Sequence, residues 1–203
     1  MITKFTDYIK LNEELEKVNT IDSKYVFFCD LDGVLVDFKR GFIELSTNPD
    51  HLSIGEFEKK YGKPAAFKLI DEAGVDFWKN LNWTEDGKEL WDYLKQYNPI
   101  ILSSPTTHES SKIGKAEWIK LNLGIDVQFI DNPLNFNTDT RIIFANHKHD
   151  YVKPAISLFE KTPVLIDDYR KKLDKWALAG GIGIYHNDST DTIKSIESSL
   201  LSL

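Results

Sequence analysis

The sequence predicts an α/β fold: a parallel sheet with helices on both faces. Two observations carry that expectation. Five short apolar runs recur along the chain, and segments with helical patterning separate them. The runs lack the apolar–polar alternation of a strand with one wet face, as expected of strands covered on both sides. Strands alternating with helices in this way build parallel sheets.

Residues 4–18 set Phe5, Tyr8, Ile9, Leu11, Leu15 and Val18 at the spacing of an amphipathic helix. The apolar runs follow as Lys24–Cys29, Pro99–Leu102, Arg141–Ala145, Pro163–Ile166 and Ile182–Tyr185. Between them, Thr84–Gln96 opens on a threonine suited to an N-cap, and Ser110–Leu123 ends at Gly124, suited to a C-cap. Asp150–Glu160 contains Pro154, which would kink or restart a helix. Tyr169–Ala179 ends at Gly180-Gly181.

Two stretches break this rhythm. Residues 38–83 show helical patterns, many aromatics and no strand, and they are too long for a single crossover. The expectation is a small helical cap inserted after the first strand. Residues 1–37 and 84–203 then form one Rossmann-like α/β core. Residues 125–140 read as an added strand–loop segment.

Composition narrows the function. A chain of 203 residues with 41% hydrophobic content has enough apolar surface for a sizeable core. The net charge of −7 disfavours duplex nucleic acid and acidic membranes as partners. The single cysteine, Cys29, lies in an apolar run and fits a reducing compartment. No apolar stretch approaches the roughly 20 residues that cross a bilayer, and the first residues are too polar for a secretory signal. A cytoplasmic protein is expected.

The chemistry gathers at strand ends. In an open parallel sheet, ligands bind beyond the carboxyl ends of the strands. The first run closes in Asp30-Leu31-Asp32-Gly33, the second in Ser103-Ser104 and the fourth in Asp167-Asp168. Four carboxylates in one crevice would repel and raise one another's pKa. A divalent cation resolves that conflict, and oxygen ligands suit Mg2+. Turn chemistry alone explains a lone DxDG or a lone DD, since Asp and Gly are common turn residues. Their joint placement after separate strands favours catalysis.

These motifs resemble those of the haloacid dehalogenase (HAD) superfamily, whose members are mostly phosphatases. DxDGxx corresponds to Asp30–Leu35, and the strand closing in Thr or Ser corresponds to Ile100–Ser103. Asp167-Asp168 after Val164-Leu165-Ile166 corresponds to the acidic fourth motif. DLDGVLVDF, FWKNLNW, ILSSP, KAEWIKLNLG and LIDD with WALAGGIGI are similar to the 5'(3')-deoxyribonucleotidase branch. The resemblance implies a Mg2+-dependent phosphomonoesterase acting through an aspartyl-phosphate. It makes Asp30 the nucleophile and Asp32 the acid/base. Asp30, Asp167, Asp168 and the Asp32 backbone carbonyl would hold the metal. Ser103, Ser104 and a lysine would bind phosphate. Lys148 and Lys153 compete for the lysine role, and Lys148 is nearer its strand end.

The expected partner is a small phosphorylated metabolite, nucleotides included. Phe38, Phe42 and Trp78 are candidates for stacking on a base. A dehalogenase or phosphonatase needs no acid/base at Asp32, and a non-catalytic binding module would not need the full acidic set. His147 and His149 flank Lys148 but lack the further ligands of a zinc site.

Overall fold

The computed structural model describes residues 2–201, with side chains from residue 10 onward apart from Asn12. The sheet comprises β1 (Tyr25–Cys29), β2 (Ile100–Ser103), β3 (Ile142–Phe144), β4 (Thr162–Asp167) and β5 (Ile182–Tyr185). All pairs are parallel, in the order β3-β2-β1-β4-β5. The chain therefore winds outward from β1 in both directions. This makes β1 the switch point, with a crevice beyond its carboxyl end.

Alternation along β1 sends Phe27 and Phe28 to opposite faces. Phe27 joins a core with Ile101, Val164, Ile184, Trp118 and Ile196. Phe28 joins a second core with Ile100, Leu102, Leu165, Tyr151 and Trp176. Both faces are thus dry, which is why the strands read as unbroken apolar runs.

The helices are α1 (Ile2–Lys24), α2 (Phe38–Glu44), α3 (Ile54–Tyr61), α4 (Lys63–Lys79), α5 (Gly87–Leu94), α6 (Glu109–Leu123), α7 (Val152–Phe159), α8 (Arg170–Leu178) and α9 (Ser189–Leu201). Helix α1 is longer than expected and seats its last turns through the fully buried Ile21. Leu11 and Leu15, expected on its inner face, are exposed, and the side chains of Phe5, Tyr8 and Ile9 lie outside the described residues. Among the described residues no helix is long and apolar enough to cross a membrane.

Thr84 does not cap α5, as its sequence position suggested. Its hydroxyl donates to Val34 O at 2.8 Å and its N–H to Leu35 O, tethering the loop after β1. Pro154 leaves α7 unbroken because α7 starts at Val152, which puts the proline in the first turn. Its missing N–H there interrupts no helical bond. Residues 125–140 contribute one short bridge, Ile130 beside Ile143, and a 3-10 turn at Pro133–Asn135, and are otherwise loop. Helix α9 carried no clear sequence signal; Asp188 caps it by accepting from Asp191 N at 2.8 Å.

Helices α2, α3 and α4 lie within residues 38–83, between β1 and α5. Ser53 and Glu56 form a capping box that starts α3. An aromatic cluster holds the three together: Phe42 meets Phe57 edge-on at 5.5 Å, and Phe38 stacks on Trp78 at 5.5 Å.

Candidate active site

The sheet register brings the acidic residues together. Cys29 pairs with Ile166, and Asp30 N donates to Ile166 O at 2.9 Å, so Asp30 lies beside Asp167. Both carboxylates are buried, and each accepts from a backbone N–H: Asp30 Oδ1 from Leu31 at 2.7 Å, Asp167 Oδ1 from Tyr169 at 2.9 Å. Their other oxygens share the Lys148 ammonium, at 2.8 Å and 2.7 Å. Lys148 is itself buried, on a 3-10 turn that follows β3. Lys153 is exposed on α7.

Burial alone would raise Asp30, but the charges of Lys148 and Lys172 outweigh it and hold its carboxyl well below the usual range. Burial, joined by the charge of Asp30, pushes Asp167 up to about 6. The same two causes raise Asp168. Oxygens of Asp30, Asp167 and Asp168 lie within 4.8 Å of one another. This all-carboxylate set fits a hard divalent cation of the Mg2+ type.

Between the acidic residues the chain makes a tight turn. Leu35 N and Val36 N both return to Leu31 O at 2.9 Å. Gly33 sits there with φ +78°, and a Cβ on it would collide with the Asp168 carboxylate. Only glycine combines that backbone with that approach.

Asp32 points to a different partner. Its Oδ2 takes a 2.5 Å contact from Lys115, which is 1% exposed and also donates to Ser103 Oγ at 3.0 Å and Ser104 O at 2.8 Å. Ser103 is fully buried, and the Ser104 hydroxyl donates to Ala145 O at 3.2 Å.

A cavity of about 380 Å³ opens over these groups. Asp30, Asp32, Ser104, Asp168 and Lys172 line its floor, while Phe38 and Lys39 from α2 and Phe67 and Trp78 from α4 form a wall. Phe42 does not reach it. Its ring is fully buried against Phe57, so the expectation that Phe42 stacks on substrate is corrected: the apolar contact between α2 and α3 claims it. His108 caps α6 by accepting from Ser110 N, and His147 and His149 stack on each other at 5.8 Å.

Two lysines here were not expected from the sequence. Lys172, from the first turn of α8, approaches Asp30 Oδ2 at 3.5 Å and Asp167 Oδ2 at 4.0 Å. Lys115 left a legible trace. On α6, Ser111, Gly114, Lys115, Trp118 and Ile119 form the buried stripe, and a lysine within such a stripe needs an internal partner.

No family model matches the sequence, and no curated protein matches it. Solved structures do resemble the fold. A hydrolase from Streptococcus pneumoniae superposes with a TM-score of 0.54 at 11% identity, covering 86% of this chain and 99% of that one. A haloacid dehalogenase-like hydrolase from Burkholderia xenovorans gives 0.52 at 12%, covering 87% and 88%. A HAD-superfamily hydrolase of subfamily IA from Geobacter sulfurreducens gives 0.51 at 10%, covering 86% and 97%. At these identities the likeness establishes a HAD-like fold.

Proposed function

We propose that the protein is a cytoplasmic hydrolase of phosphate monoesters, dependent on Mg2+ and working through an aspartyl-phosphate on Asp30. The observation that carries this reading is the pairing at the switch point. Asp30 is held ionised beside two lysines and two further carboxylates, and Asp32 lies two residues on, turned to the same cavity.

An Asp30 carboxylate oxygen attacks phosphorus and the ester P–O bond breaks. The departing oxygen takes a proton from Asp32. Asp32, now a carboxylate, removes a proton from water, whose oxygen attacks the phosphorus of the aspartyl-phosphate. Inorganic phosphate leaves and Asp30 is restored. Splitting the displacement into two steps through a positioned nucleophile and a proton carrier is how such barriers are lowered. Held by Asp30, Asp167, Asp168 and the Asp32 carbonyl, Mg2+ would supply the positive charge that offsets carboxylate–phosphate repulsion. Lys148 keeps Asp30 and Asp167 in register. Ser104, which lines the cavity, would donate to a phosphate oxygen by turning its hydroxyl away from Ala145 O, while the buried Ser103 holds Lys115.

The wall of Phe38, Phe67 and Trp78 supports a substrate with a flat apolar body, a nucleotide of the 5'- or 3'-monophosphate class. A dehalogenase or phosphonatase is disfavoured because neither uses a carboxylate at Asp32. The testing experiment is turnover of p-nitrophenyl phosphate and a panel of nucleoside monophosphates, with Mg2+ and with EDTA. Mg2+-dependent phosphate release is expected. Absence of release from every ester would overturn the reading.

A further inference from the structure

We infer that Lys115 is a positioning residue for Asp32, and that through Trp78 it makes the inserted helices part of the proton-transfer apparatus. This rests on the phosphomonoesterase reading for its reaction, though not for its geometry.

The argument starts from donor count. A lysine ammonium has three N–H donors. Lys115 Nζ has three acceptors: Asp32 Oδ2 at 2.5 Å, Ser104 O at 2.8 Å and Ser103 Oγ at 3.0 Å. All three donors are engaged within the protein, leaving none for a substrate phosphate. The ammonium fixes the carboxylate instead. One Asp32 oxygen is pinned to Lys115, and the other, Oδ1, is buried without a hydrogen-bond partner. Pinning one oxygen fixes the orientation of the carboxylate two residues from Asp30, and a fixed orientation is what proton transfer to a leaving oxygen needs.

The lysine is itself held from two sides. Its ammonium lies 4.7 Å from the centre of the Trp78 ring, within cation–π range. The preceding residue, Gly114, marks the closest approach of α6 to α4. A Cβ there would stand 2.5 Å from Val75 O and 2.6 Å from Trp78 Cβ. Seating α4 therefore sets the backbone that carries Lys115, and Lys115 sets Asp32. The aromatic wall that faces the substrate and the carboxylate that moves the proton share one cation.

The test uses K115M, K115R and W78L. kcat/KM is measured for aryl and alkyl phosphate monoesters of rising leaving-group pKa. This parameter reports transfer to Asp30, the step in which a poor leaving group needs a proton. For K115M, a loss of under about tenfold is expected on p-nitrophenyl phosphate, and roughly 10²-fold or more on alkyl esters. The plot of log kcat/KM against leaving-group pKa becomes steeper. K115R should keep the wild-type slope, and W78L should steepen it in the same sense as K115M. A uniform loss in K115M, with unchanged slope, would overturn the positioning role. An unchanged slope in W78L would overturn the link to the inserted helices. A crystal structure of K115M decides the geometry without turnover. Asp32 is expected to leave the Ser103 side, and an unmoved carboxylate would overturn the inference. If the wild type hydrolyses no ester, the phosphatase reading alone has failed.

Discussion

The Lys148 ammonium bridges Asp30 Oδ2 and Asp167 Oδ2, at 2.8 Å and 2.7 Å, with all three side chains at most 4% exposed. One buried cation thus stands between two buried anions from neighbouring strands. Removing it leaves both charges with only the more distant Lys172, at 3.5 Å and 4.0 Å. K148M is expected to lose turnover and to destabilise the metal-free protein by about 3–5 kcal/mol. K153M, at an exposed position, should stay within about 0.5 kcal/mol. Urea denaturation of the two variants separates these outcomes. Equal, small effects would remove Lys148 from its role.

Asp167 gives a pH dependence of unusual sign. Its folded pKa is raised from 3.8 to about 6 by burial and by the charge of Asp30. Between those values the native state holds a proton that the unfolded chain releases. Stability therefore rises as pH falls from above 6 toward 4. Asp30 behaves oppositely. Its folded pKa is depressed, so its contribution is present above the ordinary carboxylate range and is lost only at more acid pH. Asp167 should contribute on the order of 1–2 kcal/mol more stability to the chelated protein at pH 5 than at pH 7, with Asp168 adding in the same direction and His186, whose pKa burial lowers, acting against both. D167N should shift the pH 5 to pH 7 difference by the Asp167 share. Melting curves at the two pH values in EDTA test it, and an identical difference in D167N would refute the assignment.

Asp30 and Asp32 should fail in different ways. D30N offers an amide, which cannot form the acyl phosphate, and should show no turnover and no phosphorylated protein by mass spectrometry. D32N retains the nucleophile and should lose roughly 10²–10⁴-fold. Full activity in either variant, with the fold intact, would cancel that residue's role.

Metal dependence follows from the acidic set. Asp30, Asp167 and Asp168 place three oxygens within 4.8 Å. Mg2+ should bind there and support turnover, whereas Ca2+ should support it poorly, since calcium favours more ligands and bidentate carboxylates. A bidentate Asp30 would have no oxygen left to attack. Calorimetric titration of wild type and D168N checks binding apart from activity. Undiminished hydrolysis after thorough chelation would refute the metal's part.

The strands, their parallel arrangement and the acidic strand ends were legible because they are local. Burial on both faces writes unbroken apolar runs, as in KYVFFC, and a switch point follows from which runs close in Asp or Ser. Nearness to a strand end also favoured Lys148 over Lys153, and Lys148 is the lysine buried between Asp30 and Asp167. What stayed hidden depends on distant pairing. Lys115 meets Asp32 only because α6 crosses α4 at Gly114, and Lys172 meets Asp30 only because α8 starts beside β4. Thr84 resembles a cap in sequence but is claimed by Val34 O across the turn after β1. Phe42 and Phe38 lie one helical turn apart, and nothing in that spacing tells which one faces the cavity.

That last pair supplies a test of the part α2 plays at the cavity. Phe42 is fully buried against Phe57, whereas Phe38 lines the cavity and stacks on Trp78. F42A removes a packed core ring and should destabilise the protein by about 3–5 kcal/mol. Below its melting transition it should slow nucleotide and p-nitrophenyl phosphate hydrolysis alike. F38A removes wall rather than core. A lost aromatic contact amounts to about 0.5–1.5 kcal/mol, so kcat/KM for a nucleoside monophosphate should fall about three- to tenfold relative to p-nitrophenyl phosphate. The sign of the contrast matters more than its size. Selective loss in F38A with unselective loss in F42A would support a base held against the Phe38–Trp78 stack. Selective loss in F42A, or none in F38A, would mean that the substrate's apolar body lies elsewhere in the cavity.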